Sequence, residues 1–246
     1  MKKIIITLIV LTMVLGCVAC KSDTGGKENT SPPASDSTPD NGDPDNGKEN
    51  ESDKDKKPTK DITMEDLLNH PESPESDFAC TGDETTGLTI VRYDGDDEIV
   101  VIPEKIRGIP VVEIATYTFA NRDDIKAIRL SDSVTELEFG AIGICTGLEL
   151  FASGSGLEII GDSAFLNCKS LREVRLNEGL KSIDIQAFSF CTSLDSISIP
   201  SSVDELAKTP FSGMSDGFTV IVEKGTASAK VAEEIEEMGY IKVEYR

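Results

Sequence analysis

Ala187-Phe188-Ser189-Phe190-Cys191-Thr192-Ser193-Leu194-Asp195-Ser196-Ile197-Ser198-Ile199-Pro200-Ser201-Ser202-Val203-Asp204-Glu205-Leu206 is the stretch that decides the fold, because its apolar positions recur along the chain every 23 residues. Phe188 has counterparts at Phe165 and Phe211 and, stepping back, at Ile142 and Phe119. Four more columns keep the same register. They are Val111, Val134, Leu157, Leu180 and Val203; Ile114, Leu137, Ile160, Ile183 and Leu206; Ile125, Leu148, Leu171 and Leu194; and Ile128, Phe151, Val174 and Ile197. A period between 20 and 29 residues with Leu or Ile at fixed offsets marks a solenoid of stacked coils. One coil cannot bury its apolar side alone, so the array is stable only as a stack. Alternation at Ile197 and Ile199 places two side chains inward on a short strand, and Pro200 ends it.

The unit from Ala187 to Leu206, and the close copy Ala164-Phe165-x-x-Cys168-x-x-Leu171-x-x-Val174-x-Leu176, resemble the BspA-like, treponemal-type class of leucine-rich repeats. Gly87 to Gly95, Val101-Ile102-Pro103, Gly108-Ile109-Pro110-Val111 and Thr118-Phe119 look like the opening of such arrays. Val222 to Thr226, followed by an amphipathic segment bearing Val231, Ile235 and Met238, looks like their close. The expectation over 77–246 is an α/β-type repeat: a short right-handed leucine-rich-repeat solenoid of about five 23-residue coils, with a β-hairpin-like N-terminal cap and a helix-strand C-terminal cap. In the coil beginning at Ala141, Ile142 replaces Phe, and Phe151-Ala152-Ser153-Gly154-Ser155-Gly156 departs from the strand pattern. A local bend or a looser strand is expected there. The resemblance implies a cell-surface or secreted bacterial protein of a class associated with adhesion and protein binding. It carries over no catalytic residue.

Outward from the repeats, Met1-Lys2-Lys3 and the apolar run Ile4 to Gly16 read as an export signal over 1–20, too short to span a bilayer. A cysteine at its end, preceded by small residues, resembles a lipobox. Cys20, after Val18-Ala19, is the expected lipidation site, with Cys17 as the alternative. The chain is then expected on the extracellular face of a bacterial membrane, held by a lipid anchor. Residues 21–60 are rich in Ser, Pro, Asn, Gly, Asp and Lys and are expected to form a disordered stalk, since they bury too little to offset ordering entropy. Asp40, Asp43 and Asp45 suggest calcium, but Lys54 stands where an EF-hand loop begun at Asp43 needs its Glu. Residues 61–76 read as a short helix and linker, with Thr63 and Asp66 spaced as a capping box.

Little chemistry is available. The formal charge of −21 is opposite to what nucleic acid or an anionic lipid surface requires. The single histidine, His70, lies outside the repeats, so no nucleophile–base pair is expected, and Asp96 and Asp97 sit in a turn-like segment rather than an enclosed one. No enzyme activity, cofactor or metal is expected. Cys145, Cys168 and Cys191 fall in one column. Core packing is the favoured reading, with a disulfide between neighbours or a metal ladder as alternatives.

The remaining candidate is the outward side of the strands. If Val174 and Leu176 point inward, Glu173 and Arg175 point outward. Their equivalents are Ala127 and Arg129, Leu150 and Ala152, and Ser196 and Ser198. Five coils offer a strip of roughly 20 to 25 Å, suited to a peptide or protein edge. The candidate face is therefore Arg129, Leu150, Glu173, Arg175, Ser196 and Ser198, and the expected partner is a protein or glycan. A structural envelope component that spaces or assembles other surface proteins is the alternative.

Overall fold

A computed structural model describes residues 61–246. The export signal expected over 1–20, the lipidation at Cys20 or Cys17 and the stalk expected over 21–60 lie outside the described residues. Among the described residues no helix is long and apolar enough to cross a membrane.

The N-terminal part contains α1 (Met64–Leu68), β1 (Phe78–Asp83), β2 (Gly87–Tyr93), β3 (Ile99–Val101), β4 (Lys105–Ile106) and β5 (Ile109–Ile114). The coils follow as β6 (Ala127–Arg129), β7 (Glu136–Leu137), β8 (Leu150–Ala152), β9 (Ile159–Ile160), β10 (Glu173–Arg175), β11 (Ser182–Ile183), β12 (Ser196–Ser198) and β13 (Glu205–Leu206). The chain closes with β14 (Thr219–Val222), α2 (Ala227–Glu237) and β15 (Lys242–Tyr245). Each coil contributes one two-residue and one three-residue strand joined by turns, and among the described residues α-helix is confined to α1 and α2. One ladder runs β1-β2-β5-β7-β9-β11-β13, with β1 antiparallel and the rest parallel. The opposite ladder is in two pieces, β3-β6-β8-β10 and β12-β14-β15, seven rungs in all, so the array is longer than the five coils read from the period. The added rungs come from the terminal caps, whose strands pair in register without carrying the full repeat.

The stacking is a repeated backbone bond. Phe119 N donates to Ala141 O, Ile142 N to Ala164 O, Phe165 N to Ala187 O and Phe188 N to Pro210 O, all at 2.7 to 2.9 Å. Inside, the columns read from the period are buried, with one exception: Val174 is only half-buried. Phe165 and Phe188 stack at 4.9 Å with planes 4° apart. Where Ile142 replaces the column's phenylalanine, Phe151 brings a ring from the neighbouring column and meets Phe165 edge-on at 4.6 Å. The ring is moved rather than lost.

That coil corrects one expectation. The Phe151–Gly156 stretch is neither bent nor loose, since β8 pairs with β6 and β10 on both sides and all three of its residues are buried. Gly154 and Gly156 are needed because a Cβ on either would lie 2.0 Å from the carbonyl oxygen of Ser131 or Asp132 in the preceding coil. Glycine here permits close approach of two backbones. The break falls one coil later, where β10 and β12 are unpaired.

The closing helix also differs in detail. Thr226 caps α2 by accepting from Ala229 N, and the buried face is Ser228, Ala229, Ala232 and Ile235. Val231 is half-buried, while Met238, expected on the apolar side, is the exposed C-cap.

The turns opposite the strand pairs carry left-handed residues at fixed offsets. Asn121, Ile144, Asn167, Phe190 and Gly213 share one such position, with φ between 61° and 69°. Asn and Gly adopt that conformation readily, whereas for a β-branched residue it is an outlier. Ile144→Asn should therefore stabilise the protein, by about 1 kcal/mol, because the side chain lost is partly exposed. A chemical-denaturation midpoint higher than that of the native chain is the expected reading.

Candidate binding face

On the face formed by β3, β6, β8, β10, β12, β14 and β15, the outward residues change character along the array. Val101, Ala127, Leu150 and Ala152 are apolar and buried, whereas Glu173, Arg175, Ser196 and Ser198 are polar and at least partly exposed. The cause is α1. Thr63 Oγ1 accepts from Asp66 N while the Asp66 carboxylate accepts from Thr63 N, and this capping box starts the helix. Met64 and Leu67 then pack on Val101, Ala127, Leu150 and Ala152 as a second apolar cluster, separate from the main core.

Polar contacts hold this segment at both ends. Arg172 Nη2 donates to Ile62 O at 2.6 Å, and Arg129 Nη2 donates to His70 O at 2.9 Å. Ser73 N donates to Val101 O and Ser73 Oγ accepts from Val101 N. Burying two side chains of this size stabilises by about 3 to 6 kcal/mol together. Fixing five helical residues costs about 1 to 2 kcal/mol each, which that burial alone does not offset, so α1 stays in place only with the polar contacts at its two ends.

The six candidate residues are therefore divided. Leu150 is sealed beneath α1 and Arg129 is engaged by the segment, while Glu173, Arg175, Ser196 and Ser198 remain on the open part. Apolar residues at outward positions were the signal of a cover, and Ile62, Met64 and Leu67 were the signal of what covers them.

The open part contains the unpaired seam. Leu130 N donates to Ala152 O, Ser153 N to Arg175 O and Ile199 N to Ile221 O, but the equivalent bond from Leu176 is absent from this series. A cleft of about 250 Å³ opens there, lined by Val174, Arg175, Leu176, Glu178, Ser198 and Arg246 among others. Arg246, which no repeat pattern identified, reaches in from beyond β15. Its Nη1 donates to Ser198 Oγ at 2.9 Å and its Nη2 to Ile199 O at 3.2 Å. Hydrogen bonds from Ser201 and Ser202 hold the Glu178 carboxyl below its ordinary pKa, so it stays anionic beside the two arginines. The cleft presents both charge signs and hydrogen-bonding groups, which suits a polar or peptidic ligand.

The three stacked cysteines pack as core. Their thiols donate to the carbonyls of Phe119, Ile142 and Phe165, each in the preceding coil. Burial pushes the Cys145 and Cys191 thiols up to about 12 and Cys168 well above its usual value, so these groups are protonated at neutral pH. All three are free. Among the described residues, no group of three or more His, Cys, Asp or Glu side chains could hold a metal ion.

The opposite ladder carries an acidic strip. Burial raises the Glu113 pKa, opposed by the bond that Thr89 Oγ1 donates to it at 2.7 Å and reinforced by Glu138. Burial also raises Glu136, followed by the charges of Glu113, Glu138 and Asp184. A carboxyl whose folded pKa lies above its unfolded value binds protons more tightly when folded, so it destabilises the fold above the raised pKa and ceases to do so below the unfolded one. Glu136→Gln is accordingly expected to raise the melting temperature at pH 7. The difference from the native chain should shrink as pH falls through the raised value and vanish near pH 4, as thermal melts across that range would show.

Two ladders of short parallel strands around columns of Leu, Ile and Phe define a leucine-rich-repeat solenoid. The chain belongs to the family described as the BspA type leucine rich repeat region, whose model matches residues 102–226 in six copies. It is similar to the Treponema pallidum leucine rich repeat protein TpLRR, at 32% identity with a TM-score of 0.57, over 61% of this chain and 71% of that one. It also matches a leucine-rich repeat protein from Bacteroides ovatus at 17% identity with a TM-score of 0.49, over 69% of this chain and 52% of that one. A leucine rich cell surface protein from Faecalibacterium prausnitzii matches at 21% identity with a TM-score of 0.41, over 63% and 55%. The chain thus spans about half the length of these last two. No curated protein matches.

Proposed function

We propose that this chain is an exported, lipid-anchored surface module that binds a protein or glycan partner through the open part of its strand face. The observation that carries this reading is the change at β10, where the outward positions become polar and Arg175 and Arg246 converge on an unpaired strand seam. Membership of a repeat family built as an interaction scaffold supports it. So does the sequence before residue 61, whose apolar run from Ile4 to Gly16, cysteines Cys17 and Cys20, and polar tract over 21–60 read as an export signal, a lipobox and a tether. The net charge of −21 makes nucleic acid an unsuitable partner. The role is non-catalytic.

Biolayer interferometry of the purified chain against matrix proteins, cell-wall glycans and the chain itself tests the reading. Saturable binding is expected, weakened about tenfold by Arg175→Ala or Arg246→Ala, the effect of losing one well-placed charged contact. Saturable binding indifferent to both substitutions would move the ligand off this face, and no binding to any probe would count against the reading.

The structural reading draws on a different surface. The turn side exposes Tyr117, Ile144, Ile185 and Phe190, four large apolar side chains that a second surface protein would cover. Concentration-dependent self-association in sedimentation, abolished by Tyr117→Ser and Phe190→Ser together, would favour it.

A further inference from the structure

We propose that the strand face is a seat for an amphipathic helix ending in a carboxylate, and that α1 is its resident, displaceable occupant. The inference rests on reading the strand face as the partner surface, and it names the chemistry of the partner and what must move.

Three observations carry it. First, α1 has five residues, too few to persist as a helix without its tertiary contacts. Its apolar contacts form a cluster apart from the main core, a groove of about 520 Å³ runs along one side of it, and a second of about 530 Å³ opens at its N-terminal end beside Arg172. Second, the seat has the features of a helix groove. Val101, Ala127, Leu150 and Ala152 receive two side chains three residues apart, and an arginine stands at each end, Arg172 toward Ile62 and Arg129 toward His70.

Third, α1 leaves the seat incompletely satisfied. Arg129 gives Nη2 to His70 O, while its Nε has no partner and no access to solvent. Those two N–H groups form one fork. Elsewhere in this chain the same fork holds a carboxylate: Arg92 gives Nε and Nη2 to Asp94 at 2.6 and 2.8 Å, and Arg122 gives both to Asp124 at 2.8 and 2.5 Å. The carbonyl oxygen of His70 is placed to receive only the Nη2 donor. A carboxylate in its place takes both, with charge assistance, and removes a buried unpaired donor. A partner helix with apolar residues at i and i+3 and an acidic residue one turn further on therefore fits better than α1. Its binding lifts residues 61–73 off the array.

Hydrogen exchange on the full native chain is the first test. The amides of α1 are expected to exchange by local opening, about tenfold or more faster than those of β6 and β8 beneath them. The second test uses a synthetic peptide of residues 61–73 carrying His70→Glu. Met64→Ser with Leu67→Ser in the full chain vacates the seat and leaves the main core intact, which an unchanged cooperative melt would verify. The peptide is expected to bind this variant saturably, the native chain at least about tenfold more weakly, and to outbind the unmodified 61–73 peptide. Arg129→Gln in the vacated chain should erase the difference between the two peptides. Exchange of α1 only with global unfolding, equal peptide affinity for native and vacated chains, or equal affinity of the two peptides would overturn the proposal. None of these readings depends on the partner probed at Arg175 and Arg246, so either idea can fail alone.

Discussion

Every feature of this protein depends on the fact that one 23-residue coil cannot bury its own apolar side. The columns at Phe165, Leu171, Leu180 and Ile183 are covered only because the next coil sets the same residue types at the same height. The backbone follows suit, with turn and strand amides of one coil donating to carbonyls of its neighbours. Such a stack has two open ends, and an unpaired parallel edge invites further association. At one end β1 folds back antiparallel on β2, and at the other α2 packs against β13, β14 and β15.

The two ladders spend their outward positions differently. On one, Glu113, Glu136, Glu138 and Asp184 crowd together, and part-burial makes their charges mutually unfavourable. On the other, the first rungs are apolar and are sealed by α1, and the later rungs are polar and open at a seam. The face expected to serve as one continuous strip is two surfaces. One is occupied by the chain's own segment and the other is lined by Arg175, Ser198 and Arg246.

The core columns were legible because a solenoid converts sequence spacing directly into spatial adjacency: residues 23 apart are neighbours. The Cys145, Cys168 and Cys191 column was legible as core for the same reason. Reading Gly154 and Gly156 was harder, since glycine-rich sequence serves both for looseness and for close approach, and only the carbonyls of Ser131 and Asp132 decide between them.

By itself, then, the sequence determined the period, the inward columns, the terminal caps and the capping box at Thr63 and Asp66, all of which are local or periodic. Tertiary structure decided the rest. That α1 lies on β3, β6 and β8, that Arg246 reaches Ser198, and that β10 and β12 part are contacts between segments outside the repeat, or departures from it. Periodicity places a residue against its own copies. It says nothing of what a non-repeating segment will cover, because that depends on which exposed apolar surface the finished stack leaves within its reach.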